Sequence, residues 1–415
     1  MRYLVFLLSG ALAASAQVAN FDELYKLATT KSGKAVAELA KVMQADAIKK
    51  GTASLSKGGD FIFAVDSAST PQLVIDDGTP QKMTRGGGGG TVWFSTAKLA
   101  IKRTHNFNYF VDGKPFGGRT DVIAYGPDSY EKPSVPKGKL SEKMQHTSKL
   151  YEGMVADYWT YVPAQYDPAV PAAVMFWTDG EVLVPRTEPS RAQIVFDNLT
   201  HEKKIPVIIH VLVSPGKKGT QALRSIQYDT VTDTFAHYAL DEILAEVGTK
   251  YNLRKDGYSR AMAGDSSGGI CAFNAAWWKP QEFSRVLSRI GSFTSIQWKP
   301  GVQDGGYIFP FAIRKQAKRN IRVWLQDGAG DLENEHGSWP AQNIAMANSL
   351  KRQEYDFHFT WGNGTHSRNG GYAELAEEMI WLWRDYDASK TTQQFAMDPD
   401  EKTKPFFRVK ALNRE

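Results

Sequence analysis

A single cysteine, Cys271, stands in a chain of 415 residues, so no disulfide can form within it and the fold must rest on its core. Its place in an apolar stretch reads as a buried, inert thiol. Excess charge is also lacking: the net charge is +5, and the lysines and arginines are scattered, which excludes an extended nucleic-acid surface. Metal-ligand spacings are missing as well, with no H-E-x-x-H, no paired cysteines and no histidine pair. The acidic run Asp331, Glu333, Asn334, Glu335 reads as a solvated loop rather than a cation site. Long hydrophobic runs are confined to the first residues. "MRYLVFLLSGALAASAQ" has one early arginine, an apolar stretch from Tyr3 to Ala14 and a small-x-small site at Ala14-Ser15-Ala16. That pattern is a secretory signal peptide over 1–16, and the stretch is short of the ~20 residues a membrane span needs. The expected mature chain starts at Gln17, carries no stable membrane span and is secreted or periplasmic.

What is present is an ordinary globular composition, 42% hydrophobic and 23% charged, on a chain long enough for two domains. Residues 17–57 read as two short helices. From Gly58 to about 134, short aromatic or β-branched runs such as "DFIFAVDS", "PQLVIDD" and "GTVWFSTAKL" alternate with Gly, Pro, Asp and Asn, the pattern of a small β-sandwich. The glycines at 86–90 suit a hairpin loop. "SYEKPSVPKGKLSEK" is Pro- and Lys-rich and reads as a linker. Over 135–390 strand-like runs ("AAVMFWTDG", "PVIIHVLVSPG", "SRAMAGDSS", "RVLSRIGSF", "IRVWLQDG", "DFHFTWGNG") alternate with helix-like stretches. That alternation predicts an α/β fold with a mostly parallel sheet covered on both faces. The polar tail, 391–415, is expected to pack loosely.

In such sheets, sites form beyond the carboxyl ends of the strands. "AMAGDSSGG" places Ser266 in Gly264-Asp265-Ser266-Ser267-Gly268, a G-x-S-x-G pattern that fits a strand-to-helix turn exposing a serine. "IRVWLQDG" ends at Asp327, with Asp331 four residues on, and "DFHFTWGNG" ends at His366. A serine hydroxyl needs an imidazole to take its proton, and the imidazole needs a carboxylate to hold its tautomer. Ser, Asp, His in that order is the arrangement expected. His336 competes with His366, His358 lies inside a strand, and position alone leaves Asp327 and Asp331 equal, with Glu333 an outside choice. The oxyanion donors are expected at the amides of Ser267 and of Gly180, in "WTDGE". The chemistry needs no cofactor.

"RSIQYDTVTDTFAHYALDEILAEVGTKYNLRKDGYSRAMAGDSSGGICAFNAAWW", "FSRVLSRIGSFTSI", "IRVWLQDGAGDLENEHGSWP" and "GNGTHS" resemble the enterochelin esterase-like branch of the putative esterase family, which includes feruloyl and acetylxylan esterases. The resemblance, over about 138–390, implies an α/β-hydrolase with Ser266 as nucleophile and His366 as base. It also implies Asp331 as the acid, because the family's carboxylate follows a G-x-x-D pattern, here Gly328 to Asp331. Residues 58–134 resemble the early-set, carbohydrate-module-like sandwich found ahead of such esterases. Enterochelin esterases act inside the cell, whereas this chain opens with an export signal. The expected substrate is therefore an ester met outside the cytoplasm, small or linked to a polysaccharide, such as a feruloylated or acetylated carbohydrate. Trp177, Trp339 and Trp361 lie near strand ends and are candidates to stack on it, although core packing explains each equally well. Arg224 is a candidate for an acidic substrate group or for an ion pair with Asp229 or Glu242. The alternatives are a siderophore trilactone esterase, an acyltransferase of mycolyltransferase type and a non-catalytic binding protein.

Overall fold

The protein is described by a computed structural model covering residues 20–408 except 33, 88 and 188. The signal segment therefore lies outside the described residues. The chain divides into two compact units, Met1–Tyr125 and Gly126–Glu415.

In the first unit, helices Phe21–Thr29, Ala35–Val42 and Ala45–Lys50 precede two four-stranded antiparallel sheets. Strand Asp60–Asp66 shows why they assemble. Its side chains alternate: Phe61, Phe63 and Val65 join Leu73, Trp93, Phe107 and Tyr109 between the sheets. Ile62 and Ala64 face the other way and meet Leu24, Leu39 and Ile48 of the helices. Both faces are covered, so the strand reads as an unbroken apolar run. The third helix escapes the sequence pattern because Ile48 is its one buried residue. The glycine-rich segment joins Thr84–Arg85 to its antiparallel partner Val92–Lys98, and the Gly86 amide donates to the Val92 carbonyl at 2.9 Å.

The second unit is built on a central sheet with strands β1 (Val155–Val162), β2 (Ala173–Thr178), β3 (Ile208–Val213), β4 (Arg260–Asp265), β5 (Arg285–Arg289), β6 (Arg322–Gly330) and β7 (Asp356–Thr365). Their spatial order is β1-β3-β2-β4-β5-β6-β7. Only the β1–β3 pair of this order is antiparallel, and every later pair is parallel. Strands β2 to β5 are buried at every residue, which accounts for the near-continuous apolar runs of β2 and β3. The covering helices include α1 (Ala192–His201), α2 (Ser267–Trp278), α3 (Trp339–Arg352) and α4 (Asn369–Trp383). Helix α2 is buried from Ser267 to Trp277, including Cys271, whose thiol burial pushes well up. This is the α/β-hydrolase-type sheet expected, with a β-rich unit ahead of it.

Two expectations need correction. The Pro- and Lys-rich stretch near 130–142 belongs to the second unit and is no linker. Asn198 Nδ2 donates to the carbonyls of Asp128 (2.8 Å) and Tyr130 (2.9 Å), Lys132 pairs with Asp128 and Glu202, and Gly138 N–H donates to Asp197. Lys132, Lys137 and Lys143 are ion-paired, which composition does not reveal. Nor do the described residues after Thr391 pack loosely. Phe395 is buried at 2% exposure and lies 5.2 Å from the Arg285 guanidinium and 4.7 Å from that of Arg322. Phe407 packs on Phe359 and Trp361, and Asn320 and Asn348 bind the backbone on either side. Among the described residues no helix is long and apolar enough to cross a membrane.

Truncating a buried phenylalanine costs about 3–5 kcal/mol. Phe395→Ala is expected to destabilise the second unit by that amount, read as a lower denaturant midpoint at unchanged slope.

Candidate active site

The site begins with a strained residue. Ser266, between β4 and α2, has φ 60° and ψ −122°, a conformation an L-residue adopts only when its surroundings impose it. They do so from both sides. Ser266 N–H donates to the Arg289 carbonyl at 2.9 Å, and its own carbonyl accepts from Ser292 N–H at 3.0 Å and Gly269 N–H at 2.9 Å. The flanking glycines follow from packing: a Cβ on Gly264 would lie 2.0 Å from Thr178 Oγ1, and one on Gly268 2.2 Å from the same atom. Thr178, at the end of β2, is itself held by a 3.1 Å bond to the Ala263 carbonyl.

Three strand-end loops then meet. His366 Nε2 lies 2.8 Å from Ser266 Oγ, and His366 Nδ1 lies 2.5 Å from Asp331 Oδ1. Asp331, not Asp327, faces the imidazole. A carboxylate only accepts, so Nδ1 carries the hydrogen and Nε2 accepts from Ser266. Ser266 Oγ in turn lies 3.2 Å from Ser292 Oγ, which accepts from Trp339 Nε1–H at 3.1 Å. The hydroxyl hydrogen of Ser292 is thereby directed at Ser266. Every proton in the chain from Trp339 to Asp331 has one consistent direction.

The two amides expected to hold an oxyanion open helical turns. Ser267 is the first residue of α2 and Gly180 the first of a short 3₁₀ turn, so neither amide has an acceptor within its helix. Gly180 must be glycine because its Cβ would fall 2.3 Å from the Val213 amide nitrogen of β3. The residue before it, Asp179, sits in the left-handed region with φ 49° and is clamped by two arginines. Arg224 makes a two-pronged pair with its carboxylate at 2.8 and 2.6 Å, and Arg368 reaches Oδ2 at 3.2 Å. Arg368 also pairs at 3.3 Å with Asp265, the residue before Ser266, and Asp265 faces Arg289 at 3.6 Å. Arg289 in turn forms a buried pair with Glu378 of α4. Arg224 thus pairs with Asp179 rather than with Asp229 or Glu242.

The tryptophans are not stacking surfaces. Trp177 is buried in β2 and donates to His210 Nδ1 at 3.1 Å, because its side chain points away from the strand-end loop. Trp339 is buried at 2% exposure with its ring 5.7 Å from that of His366, so it walls the imidazole. Trp361 packs against Phe359 and Phe407. The competing His336 is half exposed and its described bonds are to Asn334 and Ser295 through its backbone. His358 lies inside β7, against Trp324 and Glu401. No cluster of three ligating side chains suited to a metal occurs among the described residues. Sequence reasoning missed Ser292, Asp179 and Arg368. No motif marks the first two, although Arg368 stands only two residues past His366.

A family profile described as "Putative esterase" matches residues 157–382. No curated protein matches the chain in sequence. Among solved structures, the enterobactin esterase FES of Shigella flexneri superposes with a TM-score of 0.54 at 17% identity, covering 78% of this chain and 93% of that one. The ferric enterobactin esterase of Salmonella typhimurium gives 0.52 at 18% identity, over 81% of this chain and 97% of that one. A ferulic acid esterase of Anaeromyces mucronatus gives 0.48 at 15% identity, over 63% and 96%. At these identities the likeness is one of fold.

Two outcomes follow from the packing around Ser266. Gly268→Ala forces its methyl onto Thr178 and is expected to cost about 1–3 kcal/mol. Thr178→Ala in the same chain removes the clashing oxygen, so a double-mutant cycle on thermal midpoints should show a favourable coupling. Burial pushes Asp229 up to about 6, against hydrogen bonds from Ser225 and Ser267. The native state then holds a proton that the unfolded chain releases. The contribution is full below the ordinary carboxylate value and is lost as pH climbs through about 6, some 3 kcal/mol in all. Asp229→Asn should flatten that part of the stability curve in urea titrations at about pH 4 and pH 7.

Proposed function

Because this chain belongs to the Putative esterase family, and is a carboxylic ester hydrolase, we propose that it works through an acyl-enzyme formed on Ser266. The observation that carries the reading is the directed chain from Ser266 Oγ through His366, at 2.8 Å, to Asp331, at 2.5 Å. In the first half-reaction Ser266 Oγ attacks the ester carbonyl while its proton passes to His366 Nε2. Asp331 stabilises the imidazolium, and the amides of Ser267 and Gly180 receive the negative carbonyl oxygen. Collapse breaks the C–O bond to the alcohol, which leaves with the proton from His366. Water then gives its proton to His366 and attacks the acyl carbon, and the acid departs as Ser266 is regenerated.

The substrate class we favour is an acylated carbohydrate, feruloyl or acetyl, met outside the cytoplasm. Its support is the signal-like sequence of residues 1–16 together with the resemblance to feruloyl and acetylxylan esterases. A second reading, a siderophore trilactone, takes its support from the enterobactin esterases among the structural neighbours.

With 4-nitrophenyl acetate, Ser266→Ala is expected to lower kcat by about 10⁶-fold and Asp331→Asn by about 10⁴-fold. A Ser266→Ala chain as fast as wild type sinks the acyl-enzyme. Feruloylated oligosaccharide, acetylated xylan and a trilactone with and without iron then rank the substrate classes by kcat/KM. Product analysis with an acceptor sugar present separates hydrolysis from acyl transfer.

A further inference from the structure

Asp327 ended as the carboxylate that does not face His366, yet it is 1% exposed and lies against the carboxyl group of Asp331. The surroundings are short of hydrogen. Asp327 Oδ1 accepts from Gly328 N–H at 2.7 Å, but its Oδ2 is buried without a partner, and so is Asp331 Oδ2. Asn343 of α3 also touches Asp327. Both of its amide hydrogens go elsewhere, to the carbonyls of Gly291 at 3.0 Å and Trp339 at 3.1 Å, and its Oδ1 is likewise unpartnered. Asp327 Oδ2 and Asp331 Oδ2 are thus buried acceptors with no hydrogen-bond donor among the described residues. Two carboxylates in contact there cannot both keep a charge, and one proton resolves the repulsion and the missing donor together. Asp331 Oδ1 already receives Leu332 N–H and His366 Nδ1–H, each at 2.5 Å, which leaves Asp327 as the member placed to carry the shared proton.

We propose that Asp327 is a positioning residue, a neutral carboxylic acid that donates its O–H to Asp331 Oδ2. Burial, and then the hydrogen bond and charge of Asp331, push its carboxyl up to about 10, in keeping with that state. The donated bond occupies the lone pair of Asp331 turned away from His366, so the carboxylate cannot rotate out of line with the imidazole. The proposal rests on the assignment of Ser266, His366 and Asp331 made above, and Asp327 acts only through Asp331.

The test uses the full chain and three variants. Infrared spectra at neutral pH should show a buried carboxylic-acid C=O band in wild type that is missing from Asp327→Asn; a wild-type spectrum without that band overturns the proposal. With 4-nitrophenyl acetate, Asp327→Leu, which cannot donate, should lose roughly 10- to 100-fold in kcat at unchanged KM. Asp327→Asn, whose amide can donate to Asp331 Oδ2 while its oxygen keeps Gly328, should rescue that loss to within about threefold. Asn as impaired as Leu, or Leu as active as wild type, overturns the proposal. Should the leucine variant fail to fold, the infrared band and the asparagine kinetics decide. Ser266→Ala is run alongside: an active Ser266→Ala removes the underlying reading, while the band still reports on the Asp327 proton.

Discussion

Holding Ser266 at positive φ costs about 1–3 kcal/mol, and much of the second unit is arranged around that cost. A backbone in that conformation survives only if its neighbours leave it no relaxed alternative. Here the amide and carbonyl of Ser266 are tied to Arg289, Gly269 and Ser292. The strand before it and the helix after it approach so closely around Thr178 that neither flanking position has room for a Cβ. The strain puts the hydroxyl where His366 and Ser292 both reach it. Ile290, a β-branched residue with φ 42°, shows that the loop carrying Ser292 is forced as well.

Beneath this turn lies a balanced set of charges. Asp179, Asp265 and Glu378 face Arg224, Arg368 and Arg289, and each carboxylate meets at least one guanidinium. Buried ion pairs of this kind add little net stability, since desolvation offsets attraction. Their effect is on position. Asp179 precedes the Gly180 amide and Asp265 precedes Ser266, and Arg368 spans both carboxylates from the loop that carries His366. The loops that supply the hydroxyl, one amide and the imidazole are therefore tied together through one guanidinium.

The parts of the fold legible in sequence are those set by period and by backbone geometry. Fully buried parallel strands read as apolar runs, and the turn at Ser266 reads through its glycines. What stayed hidden depended on the direction of side chains. Trp177 stands one residue from a strand end, yet it points into the sheet's covering layer. Trp361 packs against Phe407, from a tail whose composition is polar. Asp327 and Asp331 are equivalent by position, and only the family's G-x-x-D spacing separated them before the geometry did. Ser292 follows its strand without any spacing signal, because its bond to Ser266 crosses between two strands.

The terminal segment bears on how the unit is made. Arg285, fully buried, borrows its cover from aromatic rings at Tyr258, Trp383, Tyr386 and Phe395, and the last three are supplied late in the chain. On the ribosome, β5 emerges with a guanidinium that has no dry place to go until some hundred further residues have followed, as the span from Arg285 to Phe395 requires. The middle of the sheet thus takes part of its cover from the end of the chain. A chain that ends before Phe395 leaves the Arg285 guanidinium short of one of its four aromatic neighbours.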